Sequence, residues 1–159
     1  PEIGSASPLR TMKLAIDPAL FSTGQGEWGT PQYLFDHLHS IYGFTIDLAA
    51  TAENAKLPRF YTKEQDSLAQ DWTGERGFLN PPYGRGVGAW VKKAYESSRQ
   101  PGTLIVMLLP SRTDVAWFHD YIADDPHVCV YWVRGRLKFE GGKSSAPFPS
   151  MVVVFGDMP

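Results

Sequence analysis

The run Thr103-Leu104-Ile105-Val106-Met107-Leu108-Leu109 is apolar at every position after the first and is closed by Pro110. A strand with one wet face alternates apolar and polar residues, so an unbroken run of this kind belongs to a strand covered on both faces. Such a strand restricts the chain to a layered α/β architecture, with helices on both sides of a mainly parallel sheet. The flanking text has the matching periods. Tyr33, Leu34, Leu38 and Ile41 recur at helical spacing after Thr30, read as the N-cap, and Pro31, read as the first helical residue, and the helix ends at Gly43. Phe44 to Leu48 reads as a short buried strand with Asp47 at its carboxyl end, followed by a helix-capable segment from Ala49 to Lys56. Further strands are expected near Arg59 to Thr62 and at Gly77-Phe78-Leu79, and a helix from about Gly88 to Ser98. Beyond Pro110 the pattern predicts a helix around Asp114 to Ala123 and two strands, His127 to Val133 and Ser150 to Phe155, the last pair antiparallel. A Gly-rich hairpin or loop through Arg134 to Phe139 separates them.

The 159 residues suffice for one domain, assigned to residues 28–159, with no room for a separate recognition domain. Residues 1–27, rich in small and turn-forming residues and lacking periodicity, are expected to be a flexible or loosely docked arm. Within it Met12 is a candidate initiator, residues 1–11 then being an addition ahead of it. No apolar run approaches the roughly 20 residues that span a bilayer, which argues against a membrane protein. The single cysteine, Cys129, lies between valines, so an internal disulfide is excluded and cytoplasmic residence is expected. The four histidines lack metal-ligand spacing, and no metal is expected. Charge is unevenly spread: residues 1–84 carry six bases and ten acids, residues 85–143 nine bases and six acids. Arg85, Arg112, Arg134, Arg136 and Lys143, on loops at the expected ligand face, are candidate contacts to a polyanion; any one of them also reads as a solvated surface charge.

Asn80-Pro81-Pro82-Tyr83 directly follows the strand Gly77-Phe78-Leu79. In open α/β sheets, ligands bind beyond the carboxyl ends of the strands, where Asp47, Asn80 and Pro110 all fall. Two prolines fix φ and remove two N–H donors, so the segment offers acceptors without competing donors. Asn80 adds a side-chain carbonyl and Tyr83 an aromatic face. A planar NH2 group on a ring suits that combination. Asp47 is placed to accept hydrogen bonds from a ribose diol or to attract a cationic group, and alternatively to cap the segment after it.

These residues resemble a known family. Asn80-Pro81-Pro82-Tyr83 is similar to the (Asp/Asn)-Pro-Pro-(Tyr/Phe) motif of S-adenosylmethionine-dependent amino-methyltransferases. With Trp28-Gly29-Thr30-Pro31, Phe44 to Ala50, Arg134 to Phe139 and Ala146 to Phe155, the text from about 28 to 155 resembles the small phage-type (Dam-like) DNA adenine-N6 methyltransferases. The resemblance implies an α/β, Rossmann-like methyltransferase fold, mostly parallel with an antiparallel C-terminal strand. It also implies S-adenosyl-L-methionine as cofactor, double-stranded DNA as partner, and a bacterial or phage-infected host cytoplasm. Asn80, Pro81, Pro82 and Tyr83 would be the catalytic segment. Trp28, Thr30, Pro31, Asp47, Ala49 and Asp66 would face the cofactor, with Asp66 near its adenine or else merely a solvated loop acid. Tyr83 would stack on a flipped adenine, and Phe139 would cover its other face or else pack in the hairpin core. The chain departs from many methyltransferases in having Leu48-Ala49-Ala50-Thr51-Ala52 where a Gly-rich turn is usual. RNA, a protein glutamine amide, or a silent nucleic-acid-binding role remain alternatives for the same motif.

Overall fold

In the computed structural model the described residues are 10–12, 28–142 and 144–156, with residues 10–12 described as backbone alone. The elements in chain order are β1 (Arg10–Met12), α1 (Gln32–Tyr42), β2 (Ile46–Asp47), β3 (Arg76–Leu79), α2 (Val87–Ser98), β4 (Leu104–Pro110), α3 (Ala116–Tyr121), β5 (Val128–Val133) and β6 (Ser150–Phe155). A 3-10 turn, Ser67–Ala69, precedes β3. They form one six-stranded sheet in the order β1-β5-β6-β4-β3-β2. β2, β3 and β4 run parallel to one another, while β6 lies antiparallel between β4 and β5. This is the mostly parallel sheet with an antiparallel C-terminal strand expected from the sequence.

The apolar run explains the layering. Every residue of β4 is buried. Leu104, Val106 and Leu108 face a core shared with Leu34, Phe35 and Leu38 of α1. Ile105, Met107 and Leu109 face the opposite core, shared with Val91 and Ala94 of α2. α1 ends where Gly43 enters the left-handed region (φ 59°) and its N–H bonds the His39 carbonyl at 2.9 Å. Cys129 is free and buried in the α1-side core.

Three expectations need correction. Pro31, with ψ 132°, stands before the first helical residue, so the helix starts one residue later than expected and Thr30 does not cap it. Residues 49–56 form turns rather than a helix. One i to i+4 bond, from Ala55 N–H to the Thr51 carbonyl, forms, but Thr51 and Asn54 turn their side chains onto each other's backbone N–H groups. The segment near Arg59 to Thr62 contributes a single parallel bridge, Asp47 with Phe60, instead of a strand. Within the stretch read as an arm, Arg10–Met12 is an edge strand parallel to β5. The rest of residues 1–27 and Lys143 lie outside the described residues.

The end of β6 is held by a glycine. Gly156 adopts φ 110°, and a Cβ there would lie 2.5 Å from the Thr103 carbonyl oxygen. Gly156→Ala is expected to destabilise the fold by about 1–3 kcal/mol, read as a lower urea midpoint at unchanged m-value; an unshifted midpoint would contradict this close approach.

Candidate active site

A cleft of about 870 Å³ lies against the carboxyl ends of β2 and β3. Its size lies within the range of small-molecule and cofactor sites. Trp28, Thr30, Asp47, Ala49, Asp66, Asn80, Pro81, Pro82 and Tyr83, read from the sequence as cofactor-facing or catalytic, all line it. Pro31 does not; it is buried, and its carbonyl receives the N–H groups of Leu34 and Phe35 at 3.1 Å, starting α1.

Asn80 is fixed by the segment ahead of α1. Its Nδ2 donates to the Trp28 carbonyl at 2.5 Å and to Thr30 Oγ1 at 3.0 Å. A backbone carbonyl can only accept, so the amide has one orientation. Oδ1 is buried and has no hydrogen-bond partner. An acceptor left so costs about 1–3 kcal/mol, recoverable when a donor arrives. Thr30, expected to cap a helix, is thus an anchor for Asn80.

Tyr83 is held at both ends. Its hydroxyl donates to the Leu108 carbonyl of β4 at 3.0 Å, and burial pushes its phenol well above the ordinary value. Its ring meets Phe139 and Phe148 edge-on, at centroid distances of 6.1 and 5.5 Å. Phe148 also packs edge-on against Trp28 at 5.5 Å. Phe139 is only 1% exposed, wedged between Trp28 and Tyr83. Covering a base face is therefore not open to Phe139 in this arrangement. It supports the aromatic wall from behind, and the half-buried Phe148 stands nearer the surface.

Asp47 holds the loop that follows it. Its Oδ1 accepts from the Ala49 N–H at 3.4 Å and its Oδ2 from the Lys56 N–H at 3.1 Å, so one carboxylate organises the loop after β2. Burial raises its pKa from 3.8 to about 6, against the opposing pull of those two N–H groups and the Lys56 charge. Asp66 is exposed at the far wall with φ 48°, the one non-glycine residue in the left-handed region among those described. Ser67 beside it is buried with its hydroxyl unpartnered and also lines the cleft, a role that no sequence motif marked.

The basic residues divide. Arg85 and Arg134 are exposed, without an ion pair among the described residues. Arg136 is exposed and reaches the Ala146 carbonyl at 3.5 Å. Arg112 is exposed and pairs with the exposed Asp114 at 3.0 Å. None of the four lines the cleft. Lys56, which lines the cleft, and Glu140, which pairs with it from outside the lining, carried no signal in the sequence.

A doubly covered, mostly parallel sheet with a cofactor-sized cleft and a fixed carboxamide at its strand ends has the make-up of an α/β methyltransferase. The comparison with known sequences agrees: the chain belongs to the DNA N-6-adenine-methyltransferase (Dam) family, whose model matches residues 20–156. It is similar to the DNA N-6-adenine-methyltransferase of Haemophilus phage HP1, 29% identical over 135 residues that cover 80% of this chain and 77% of the relative. It is also similar to the enzyme of the same name from Escherichia phage T1, 38% identical over 112 residues, 69% of this chain and 45% of the relative. The chain therefore spans less than half the length of the T1 protein.

Asp47 yields a stability test. Its raised folded pKa means that the folded state holds a proton the unfolded state has released, so its contribution is full below 3.8 and is lost as pH rises to about 6. Measured against Asp47→Asn, the native chain should lose up to about 3 kcal/mol across that window and level off above it. A pH-independent difference between the two melting curves would refute the buried placement.

Proposed function

We propose that the chain methylates the N6 amino group of adenine in double-stranded DNA, with S-adenosyl-L-methionine as donor and the adenine rotated out of the helix into the aromatic wall. The observation that carries this reading is the Asn80 carboxamide, whose N–H groups are spent on Trp28 and Thr30 while Oδ1 is left to accept. An exocyclic amine is the donor such an acceptor fits. The fit to the cofactor rests on the cleft's size, the Asp47 carboxylate and the unpartnered Ser67 hydroxyl. S-adenosylmethionine, when bound, supplies a methyl group made electrophilic by its sulfonium.

The residues then act by position. Asn80 Oδ1, joined by the Pro81 carbonyl, accepts from the adenine N6 hydrogens. As nitrogen pyramidalises it gains nucleophilicity and positive charge, which those acceptors stabilise without having to reorient. Tyr83 offers its ring to one face of the base, and its bond to Leu108 keeps the ring from swinging away. Rotating the base out costs a few kcal/mol. Asp47, ionised above pH about 6, is suited to a ribose diol or a cationic cofactor group. Trp28, Thr30, Pro31, Ala49 and Asp66 complete the cofactor side, Pro31 through the helix start it sets. Exposed Arg85, Arg134 and Arg136, with Lys143, are suited to phosphates. Among the described residues no helix is long and apolar enough to cross a membrane, and a host cytoplasm, where the DNA is, is the compartment we infer.

Two experiments check this. With labelled methyl donor, label should enter duplex DNA, and Asn80→Ala should lower turnover by about 10²–10³ while DNA affinity is retained; label entering only RNA or protein would defeat the reading. In a salt titration, Arg85→Ala and Arg134→Ala should each reduce the slope of log affinity on log salt by about 1, and Arg112→Ala by less because Arg112 is already engaged by Asp114. Equal slopes for all three variants would rule out this division of the arginines.

A further inference from the structure

Lys56 and Glu140 have no part in the chemistry above, yet they tie the two sides of the cleft together. Lys56 Nζ, on a side chain only 7% exposed, donates to Glu140 Oε2 at 3.0 Å and to Gln32 Oε1 at 2.9 Å. The backbone N–H of Lys56 is the one that holds Asp47 Oδ2. Glu140 is stitched in through its own backbone, its N–H donating to the Gly29 carbonyl at 2.7 Å in an isolated antiparallel bridge. Gly29 stands between Trp28 and Thr30, the two residues that hold the Asn80 amide. A Cβ at residue 29 would fall 3.1 Å from Glu140 Cβ, so glycine there lets the two backbones close together.

The connection therefore runs without a gap from the Asp47 loop through Lys56 to Glu140, through Gly29 to Trp28 and Thr30, and onto Asn80. A nearly buried ammonium with two acceptors is costly to disturb, because removing the carboxylate leaves its charge opposite a neutral amide. The carboxamide it steadies must hold its place to within about half an ångström for an acceptor to meet a reacting amine. We propose that Lys56 and Glu140 are positioning residues for methyl transfer, their ion pair clamping the Trp28–Thr30 segment and so fixing the orientation of Asn80. The proposal rests on the functional reading of Asn80 given above. It makes the segment after β5 a determinant of the geometry at the end of β3. Glu140 does not line the cleft, so its removal leaves the cleft's own lining unchanged.

The test uses the full chain, labelled with ¹⁵N, and two readouts. The Asn80 side-chain NH2 pair is identified by its loss in Asn80→Asp. In Glu140→Ala and in Lys56→Met this pair is expected to shift toward the values of a free amide, and turnover on DNA to fall roughly 10- to 100-fold. Glu140→Ala is expected to melt at a lower temperature but to remain fully folded at the assay temperature with cofactor affinity near that of the native chain, so that the loss appears in kcat. Lys56→Arg, which keeps the charge, should restore most of what Lys56→Met loses. The double variant should lose no more than the worse single one, as a shared clamp requires. An unmoved Asn80 pair, additive losses, or a loss of turnover that merely follows unfolding would overturn the proposal. The resonance readout needs no substrate. Failure of the native chain to methylate any DNA would thus defeat the functional reading alone, and an unmoved Asn80 pair the clamp alone.

Discussion

β4 is walled in by apolar side chains above and below, and most of the architecture follows from having to cover it. Its two faces require a helix on each side, which α1 and α2 provide, and its two edges require partners, which β3 and β6 provide. Parallel pairing with β3 brings Asn80 to the same end of the sheet as Pro110. The same strand supplies the Leu108 carbonyl that pins the Tyr83 hydroxyl. The lip at Asn80–Tyr83 is thus bolted to a fully buried strand of the fold.

Around that anchor the site is built from groups that are spent before any ligand arrives. Asn80 donates its N–H groups to Trp28 and Thr30, Asp47 accepts from Ala49 and Lys56, and the Tyr83 hydroxyl donates a hydrogen bond to the Leu108 carbonyl. Each bond leaves a defined remainder: an acceptor on Asn80, a desolvated carboxylate at Asp47, an aromatic face at Tyr83. Preorganisation of this kind suits a reaction in which no metal or covalent adduct is called for and the protein works by holding an amine in place.

Legibility in the sequence followed the range of the interaction. The long apolar run, the helical spacing before Gly43 and the turn chemistry of Asn80-Pro81-Pro82-Tyr83 are local, and the corresponding elements stand within a residue or two of their expected places. The segment after Asp47 read as helix-capable because its alanines favour a helix, whereas the Asp47 carboxylate and the Thr51–Asn54 pair hold it in turns. Phe139 read as a base-facing aromatic through the family resemblance, with the hairpin core as the alternative, and its burial follows the alternative; Arg112 read as one of a cluster of loop bases, and its pairing with Asp114 depends on side-chain directions that spacing does not specify.

By itself the sequence determined a doubly covered α/β sheet, the strand-end placement of Asn80 and Asp47, and the kind of chemistry an acceptor-rich lip beside an aromatic ring can serve. Those follow from residue type and spacing along a few neighbouring positions. Tertiary structure alone decided which groups stay free: that Oδ1 rather than Nδ2 of Asn80 is left over, that Phe139 lies behind the wall, and that Lys56 meets Glu140 across 84 residues of chain. The physical reason is that a hydrogen bond or ion pair consumes a group only when its partner arrives in space, and partners so distant in sequence leave no periodicity to read.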